Sequence, residues 1–152
     1  ELENDTREVL KLHPALAPYK VAVLPLVKKY HSEKANEIFD ELEHEWCSGI
    51  TLSGGDPLFK GNRADIVSLV CEIRDKYPNK TIWVWSGFLF DRDLKGKEVL
   101  NYIDVLIDGQ YNCDLYSPRL KWKGSENQRV IDVQKSLELN NVVLYDEELV
   151  TS

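Results

Sequence analysis

The chain has 152 residues and a net charge of −7; 43% of its residues are hydrophobic and 30% are charged. This length and composition are typical of one globular domain and exclude long disordered regions. No apolar run approaches the roughly 20 residues that cross a bilayer, so we expect no membrane-spanning segment. Cys47, Cys71 and Cys113 are an odd number of widely spaced cysteines. They predict reduced thiols in a cytoplasmic protein.

The first third of the chain alternates a strand pattern with a helix pattern. The valine-rich run 20–26 predicts a buried strand. Apolar residues at helical spacing predict an amphipathic helix over 32–46, with Trp46 at its end filling the junction to the next element. Residues 50–53 predict a second strand that runs directly into a turn, Gly54-Gly55-Asp56-Pro57.

The same alternation continues to about residue 108. Asn62 is a good N-cap for a helix that Pro78 ends. Residues 81–85 predict a strand, residues 94–101 a weaker helix and residues 103–107 a fourth strand. Strands separated by helical crossovers form parallel sheets, so the fold class is α/β with a mostly parallel sheet.

The pattern is lost beyond residue 110. Residues 111–128 predict an irregular loop. Residues 130–133 and 141–145 have the composition of short strands, with room for a turn of helix between them. No linker or repeat divides the sequence, so we expect one domain over residues 1–152.

Glycines and polar side chains follow three of the predicted strands. They are Gly54, Gly55 and Asp56 after the second strand, Ser86 after the third and Asp108 after the fourth. In parallel α/β sheets, ligands bind beyond the carboxyl ends of the strands. We therefore expect a small-molecule site there, with Asp56 facing an amine or hydroxyl group. The alternative is that these segments are ordinary turns between strands and helices.

Four stretches, in order along the chain, resemble the activating protein of the anaerobic (class III) ribonucleotide reductase, a radical S-adenosylmethionine enzyme. They are GITLSGGDPL (49–58), KTIWVWSG (80–87), YIDVLIDG (102–109) and LKWKGSENQRVIDVQKSL (120–137). The resemblance implies a radical-enzyme-like (β/α) sheet, a 4Fe-4S cluster and the anaerobic reductase as partner. It implies that Gly54, Gly55 and Asp56 contact the methionine end of S-adenosylmethionine, with Ser86 and Asp108 further round the rim.

The chain departs from that family where the cluster is bound. The family holds its cluster with a Cys-x-x-x-Cys-x-x-Cys loop after the first strand, whereas residues 27–31 contain no cysteine. Cys47, Cys71 and Cys113 are 24 and 42 residues apart, too far in sequence to replace that loop. We therefore expect no cluster and no radical chemistry, and only weak binding of S-adenosylmethionine.

A second resemblance covers the start of the chain. Residues 9–26 and 33–42 are similar to the first strand and helix of the anticodon-binding domain of glycyl-tRNA synthetase. This resemblance implies tRNA as a partner, contacted by Lys28, Lys29 and Lys34. The acidic net charge opposes binding to a phosphate backbone, so we expect no specific tRNA complex.

The two resemblances leave three hypotheses for a single hybrid domain composed of residues 7–46 and 47–152. The first is an activating-protein-like domain that keeps a pocket for S-adenosylmethionine, and the second is a tRNA-contacting module. The third is a folded chimera with no biochemical function, whether natural, assembled in error or designed. The missing cysteine loop favours a catalytically silent hybrid with a weak cofactor pocket.

Overall fold

A five-stranded sheet forms the centre of the computed structural model, which describes residues 21–23 and 39–145. The strands lie side by side in chain order. They are β1 (Val21–Val23), β2 (Gly49–Ser53), β3 (Thr81–Trp85), β4 (Val105–Asp108) and β5 (Arg129–Asp132). The first four are parallel and β5 is antiparallel to β4. The α/β class with a mostly parallel sheet is confirmed, while the reversed last strand was not predicted.

The two faces of the sheet are buried by different side chains, because successive residues of a strand point to opposite faces. One face contributes Leu52, Val84 and Leu106 to the main hydrophobic core. The other face carries Trp83 and Ile107 in a smaller cluster. The paired positions Leu52 and Val84, and Val84 and Leu106, are adjacent in the strand register, which explains why each face is continuous.

The helix predicted after Asn62 is confirmed as α1, Arg63–Lys76. Its buried residues Ile66, Val70 and Ile73 pack against the main core. The predicted turn of helix after β5 is α2, Val133–Glu138, and the Asp132 carboxylate caps it by accepting a hydrogen bond of 3.0 Å from the Lys135 amide. No helix in the described ranges has the length and apolar character needed to cross a bilayer.

The weak helix predicted over 94–101 is wrong in its bounds and its kind. The structure has a π-helical turn, Phe90–Leu94, and a 3-10 turn, Glu98–Asn101. Gly96 separates them with a φ of +73°, a conformation that interrupts any helix. Each turn buries apolar residues of its own, Leu94 in the first and Leu100 in the second.

The helix predicted over 32–46 ends earlier than expected; residues 32–38 lie outside the described ranges. Residues 39–41 are helical, and then hydrogen bonds between residues three apart tighten the chain, as from the Leu42 amide to the Phe39 carbonyl. Trp46 does not fill the junction between this helix and β2. It is 50% exposed, and its ring stacks on His44. Leu42 and Cys47 are the buried residues of this junction.

The region after β4 is the predicted irregular loop, with one 3-10 turn at Cys113–Leu115. The predicted strand 141–145 is reduced to a single antiparallel bridge between Ile131 and Leu144. The hydrogen bonds from the Asp132 amide to the Val143 carbonyl and from the Tyr145 amide to the Val130 carbonyl hold this short segment beside β5.

Candidate ligand site at the carboxyl edge of the sheet

The chain turns sharply where β2 ends. Gly54, Gly55 and Asp56 have φ angles of +82°, +53° and +42°, so three successive residues adopt left-handed conformations. Glycine occupies this region freely and aspartate tolerates it better than most residues, which explains this composition. Among the described residues, no atom lies within 4 Å of a Cβ atom added to Gly54, so these residues leave that side of the backbone open.

The Asp56 carboxylate joins the ends of β2 and β3. Its Oδ1 accepts hydrogen bonds from the Ser86 hydroxyl at 2.9 Å and from the Leu58 amide at 3.0 Å. Its Oδ2 accepts a hydrogen bond from the Gly87 amide at 2.9 Å. The predicted residues Gly54, Gly55, Asp56 and Ser86 therefore lie together, as their positions after neighbouring strands suggested.

The start of α1 also holds the turn. The Asn62 side chain makes no N-cap bond, contrary to expectation, and its amide instead donates to the Asp56 carbonyl at 3.2 Å and the Gly55 carbonyl at 3.4 Å. The Arg63 guanidinium donates to the Leu58 carbonyl at 2.8 Å and lies 5.7 Å from the centroid of the Phe88 ring. Asn62 and Arg63 thus brace both sides of the turn, a role that their positions in the sequence did not reveal.

In segment 86–90, which follows β3, all five backbone amides donate hydrogen bonds. Three of its five amides donate to carboxylates: Gly87 to Asp56, Leu89 to Asp93 and Phe90 to Asp108, each at 2.9 Å. The Ser86 amide donates to the Ile107 carbonyl, and the Phe88 amide to the Ser86 hydroxyl. Every amide of the segment therefore has an acceptor within the protein.

Asp108 lies at the far end of this segment from Asp56. It is fully buried, and Arg129 donates to both of its oxygens, at 2.9 Å and 2.5 Å. Arg129 also donates to Asp91 at 2.8 Å. The bonds to Asp108 and then Asp91 raise the pKa of Arg129, and the bond from Arg129 lowers the pKa of Asp91. The structure thus places Asp108 behind segment 86–90, where it supports the site and has no exposed surface.

An aromatic cluster lies on the sheet face opposite the main core. The Trp83 ring packs against Trp85, Trp122 and Tyr145, with centroid distances of 6.3, 5.1 and 5.2 Å. Trp85 is only partly buried and immediately precedes Ser86. The sequence indicated Trp83 and Trp85 only as strand residues and placed Trp122 in a loop. The contact between the Trp83 and Trp122 rings arises only when the chain folds.

The turn 125–128 makes hydrogen bonds to the chain around it. The buried Gln128 side chain donates to the Gly109 carbonyl at 2.9 Å and accepts from the Gly124 and Ser125 amides. Asn127 donates to the Gln110 carbonyl at 2.8 Å. These bonds fix the irregular loop against the end of β4.

The cysteines do not converge on a metal site. Cys47 is buried before the amino end of β2 and its thiol donates to the Gly49 carbonyl. Cys71 lies on α1, and Cys113 is exposed beyond the carboxyl end of β4, the opposite edge of the sheet. Within the described part of the chain, no group of three or more histidine, cysteine or acidic residues is placed to hold a metal ion. Because all three cysteines of the sequence lie in that part, the thiolates present do not fit a 4Fe-4S cluster.

Comparison with known proteins points to one family. The family model described as "4Fe-4S single cluster domain" matches residues 24–131. The anaerobic ribonucleoside-triphosphate reductase-activating protein of Enterobacteria phage T4 is 44% identical over 94 residues, which are 62% of this chain and 59% of that protein. The proteins of the same name from Salmonella typhi and Escherichia coli K12 are each 41% identical over 107 residues, 70% of this chain and 68% of theirs. No solved structure matches the chain.

Proposed function

Because the chain belongs to the 4Fe-4S single cluster domain family, we propose that it is an activating-protein-like domain that binds S-adenosylmethionine without an iron–sulfur cluster. The observation that carries this proposal is the junction of Asp56 with Ser86 and Gly87 beside the open Gly54 backbone. The chain spans only 59% of the length of the phage relative and 68% of the length of the bacterial ones.

The turn at Gly54 offers groups that match the methionine end of the cofactor. Within the described residues, the Gly54 and Gly55 amides donate no hydrogen bond, so they remain available for a carboxylate. A carboxylate has about four lone-pair sites, and Asp56 uses three of them within the protein. The remaining site and the negative charge suit the cofactor's amino group.

The proposed lack of a cluster determines how strongly the cofactor should bind. In a radical enzyme the open iron of the cluster chelates the amino acid end of the cofactor, and here the cysteines do not fit such a cluster. One ionic contact and backbone hydrogen bonds contribute about 4–5 kcal/mol, which corresponds to a dissociation constant on the order of 0.1–1 mM. We therefore propose a catalytically silent cofactor-binding domain.

The partner proposed on the same grounds is the anaerobic reductase, since the relatives are named as its activating proteins. The glycyl-tRNA synthetase resemblance and the chimera hypothesis rest on residues 7–42. Most of these residues lie outside the described ranges. For tRNA we expect no binding of a glycine tRNA at physiological salt, because the net charge of −7 repels it. Submicromolar affinity that disappears on replacing Lys28 and Lys29 would support the tRNA hypothesis instead.

The proposed site is tested by calorimetric titration with S-adenosylhomocysteine, which keeps the amino acid and adenosine groups. Gly54→Val should abolish binding, because the added side chain fills the open side of the turn. Gly96→Val is the matched control: Gly96 also has a positive φ, +73°, and open space around it, but it lies in the turn after the π-helix. Both variants strain the backbone, and only the first should affect the ligand. Equal affinity in both variants would contradict the proposed site.

A further inference from the structure

We infer that Arg129 is a positioning residue for the proposed site: it fixes the far end of segment 86–90, whose near end forms that site with Asp56. This inference rests on the proposed function for its consequence in binding. Its structural part, the control of segment 86–90 by Arg129, is independent of any ligand.

The inference starts from a continuous line of hydrogen bonds. Arg129 donates from Nε to Asp108 Oδ1 at 2.9 Å and from Nη2 to Asp108 Oδ2 at 2.5 Å. The same Oδ2 accepts the Phe90 amide at 2.9 Å. Four and three residues earlier, Ser86 and Gly87 donate to the Asp56 carboxylate. Segment 86–90 is therefore clamped between two carboxylates, and Arg129 orients the buried one.

Arginine suits this position for a geometric reason. Its planar guanidinium binds both Asp108 oxygens side by side and still reaches Asp91 on the π-helical turn at 2.8 Å. Lysine keeps the charge but presents a compact ammonium group, which cannot reproduce a two-point contact in one plane. Without the fork, the fully buried Asp108 carboxylate is free to rotate, and the Phe90 amide loses its fixed acceptor.

The chain offers a matched control at the opposite edge of the sheet. Arg74 donates to Asp104 Oδ2 at 2.8 Å, and that oxygen accepts the Ile82 amide at 2.7 Å. The exposed fractions of the two arginine side chains are close, 27% for Arg74 and 30% for Arg129. Both arginines thus orient a carboxylate that holds a backbone amide, but Arg74 lies away from the proposed site.

The test compares Arg129→Lys with Arg74→Lys by amide hydrogen exchange, residue by residue, on the whole chain. In Arg129→Lys, exchange at Gly87 should accelerate about tenfold, while exchange at Ile82 stays close to wild type. In Arg74→Lys the pattern should reverse. A merely structural role would instead lower protection across the sheet in both variants. If Arg129→Lys does not fold, the double variant Asp108→Asn/Arg129→Gln, which leaves no buried charge unpaired, gives the same readout at Gly87.

Titration with S-adenosylhomocysteine supplies the second readout. Arg129→Lys should weaken binding about tenfold, and Arg74→Lys less than twofold. Wild-type exchange at Gly87 in Arg129→Lys would overturn the inference. So would an unchanged dissociation constant in that variant, provided that the wild type binds. Absence of binding in the wild type would refute the proposed function, and the exchange data would still decide whether Arg129 controls the segment.

Discussion

The Asp56 carboxylate connects the residues that follow β2 and β3 at the proposed site. Its removal should lower the free energy of unfolding by an amount that the lost hydrogen bonds determine. Asp56→Gly removes three hydrogen bonds to a charged group while keeping a residue that favours a positive φ. At about 1 kcal/mol for each bond at this partly exposed position, the expected loss is about 3 kcal/mol.

Asp56→Ala should lower the free energy of unfolding more than Asp56→Gly does, because the left-handed conformation at φ +42° is unfavourable for alanine. That contribution is about 1 kcal/mol, which gives a total of about 4 kcal/mol. Asp56→Asn keeps one oxygen and tolerates the conformation, so we expect a loss of about 1–2 kcal/mol. The substitution therefore disturbs the bond to Ser86 or Gly87 in addition to removing the charge.

Urea unfolding followed by tryptophan fluorescence measures these three differences. Asn140 provides the control, since it also has a positive φ, +48°, and lies outside the site. The difference between Asn140→Ala and Asn140→Gly should reproduce the conformational part, about 1 kcal/mol, without the loss of carboxylate bonds. A loss below about 1 kcal/mol for Asp56→Ala, or a greater loss for the glycine variant than for alanine, would refute the reasoning.

Three further predictions concern the strands, the acid range and iron. Gly49→Ala should destabilise by about 3 kcal/mol in urea unfolding, because its Cβ would lie 2.1 Å from the Thr81 carbonyl oxygen; Gly61→Ala, with contacts no closer than 3.5 Å, should be nearly neutral. Bonds from Arg92 and the Leu89 amide lower the pKa of Asp93 to about 2, so its contribution to stability is present above the ordinary carboxyl pKa and lost as the pH falls toward 2. Asp93→Asn should reduce that dependence in thermal unfolding between pH 5 and pH 2, and an unchanged slope would contradict it. Anaerobic reconstitution with iron and sulfide should yield no visible cluster absorbance, and stoichiometric bound iron would restore the radical-enzyme interpretation.

The sequence predicted the elements whose signals are local. The helix that became α1 has regular apolar spacing and a proline two residues after its end, and the strand 81–85 is β-branched and aromatic. The direction of β5 was not predictable, because a run of four strand residues does not show whether the strand lies parallel or antiparallel to its neighbour. The π-helical turn was also missed, because the helix predicted over 94–101 begins only where that turn ends.

The grouping of residues in the candidate site was predictable to the same extent. Its glycines and Asp56 follow a strand, and the rule that ligands bind at the carboxyl ends of strands sufficed to group them with Ser86. The pairing of Asp108 with Arg129 was not visible, because the two residues are 21 positions apart and meet only when β5 pairs with β4. For the same reason, no pattern in the sequence indicated that the Asp56 carboxylate accepts three hydrogen bonds from the protein itself.

The most direct test of the proposed site is an NMR titration of the iron-free protein with S-adenosylhomocysteine, followed through the backbone amides. The account predicts that the amides of residues 53–57 and 86–87 shift together, with one dissociation constant on the order of 0.1–1 mM. Amides near Arg74, at the opposite edge of the sheet, should stay unchanged. Shifts that spare residues 53–57 and 86–87, or no shifts at millimolar ligand, would contradict it.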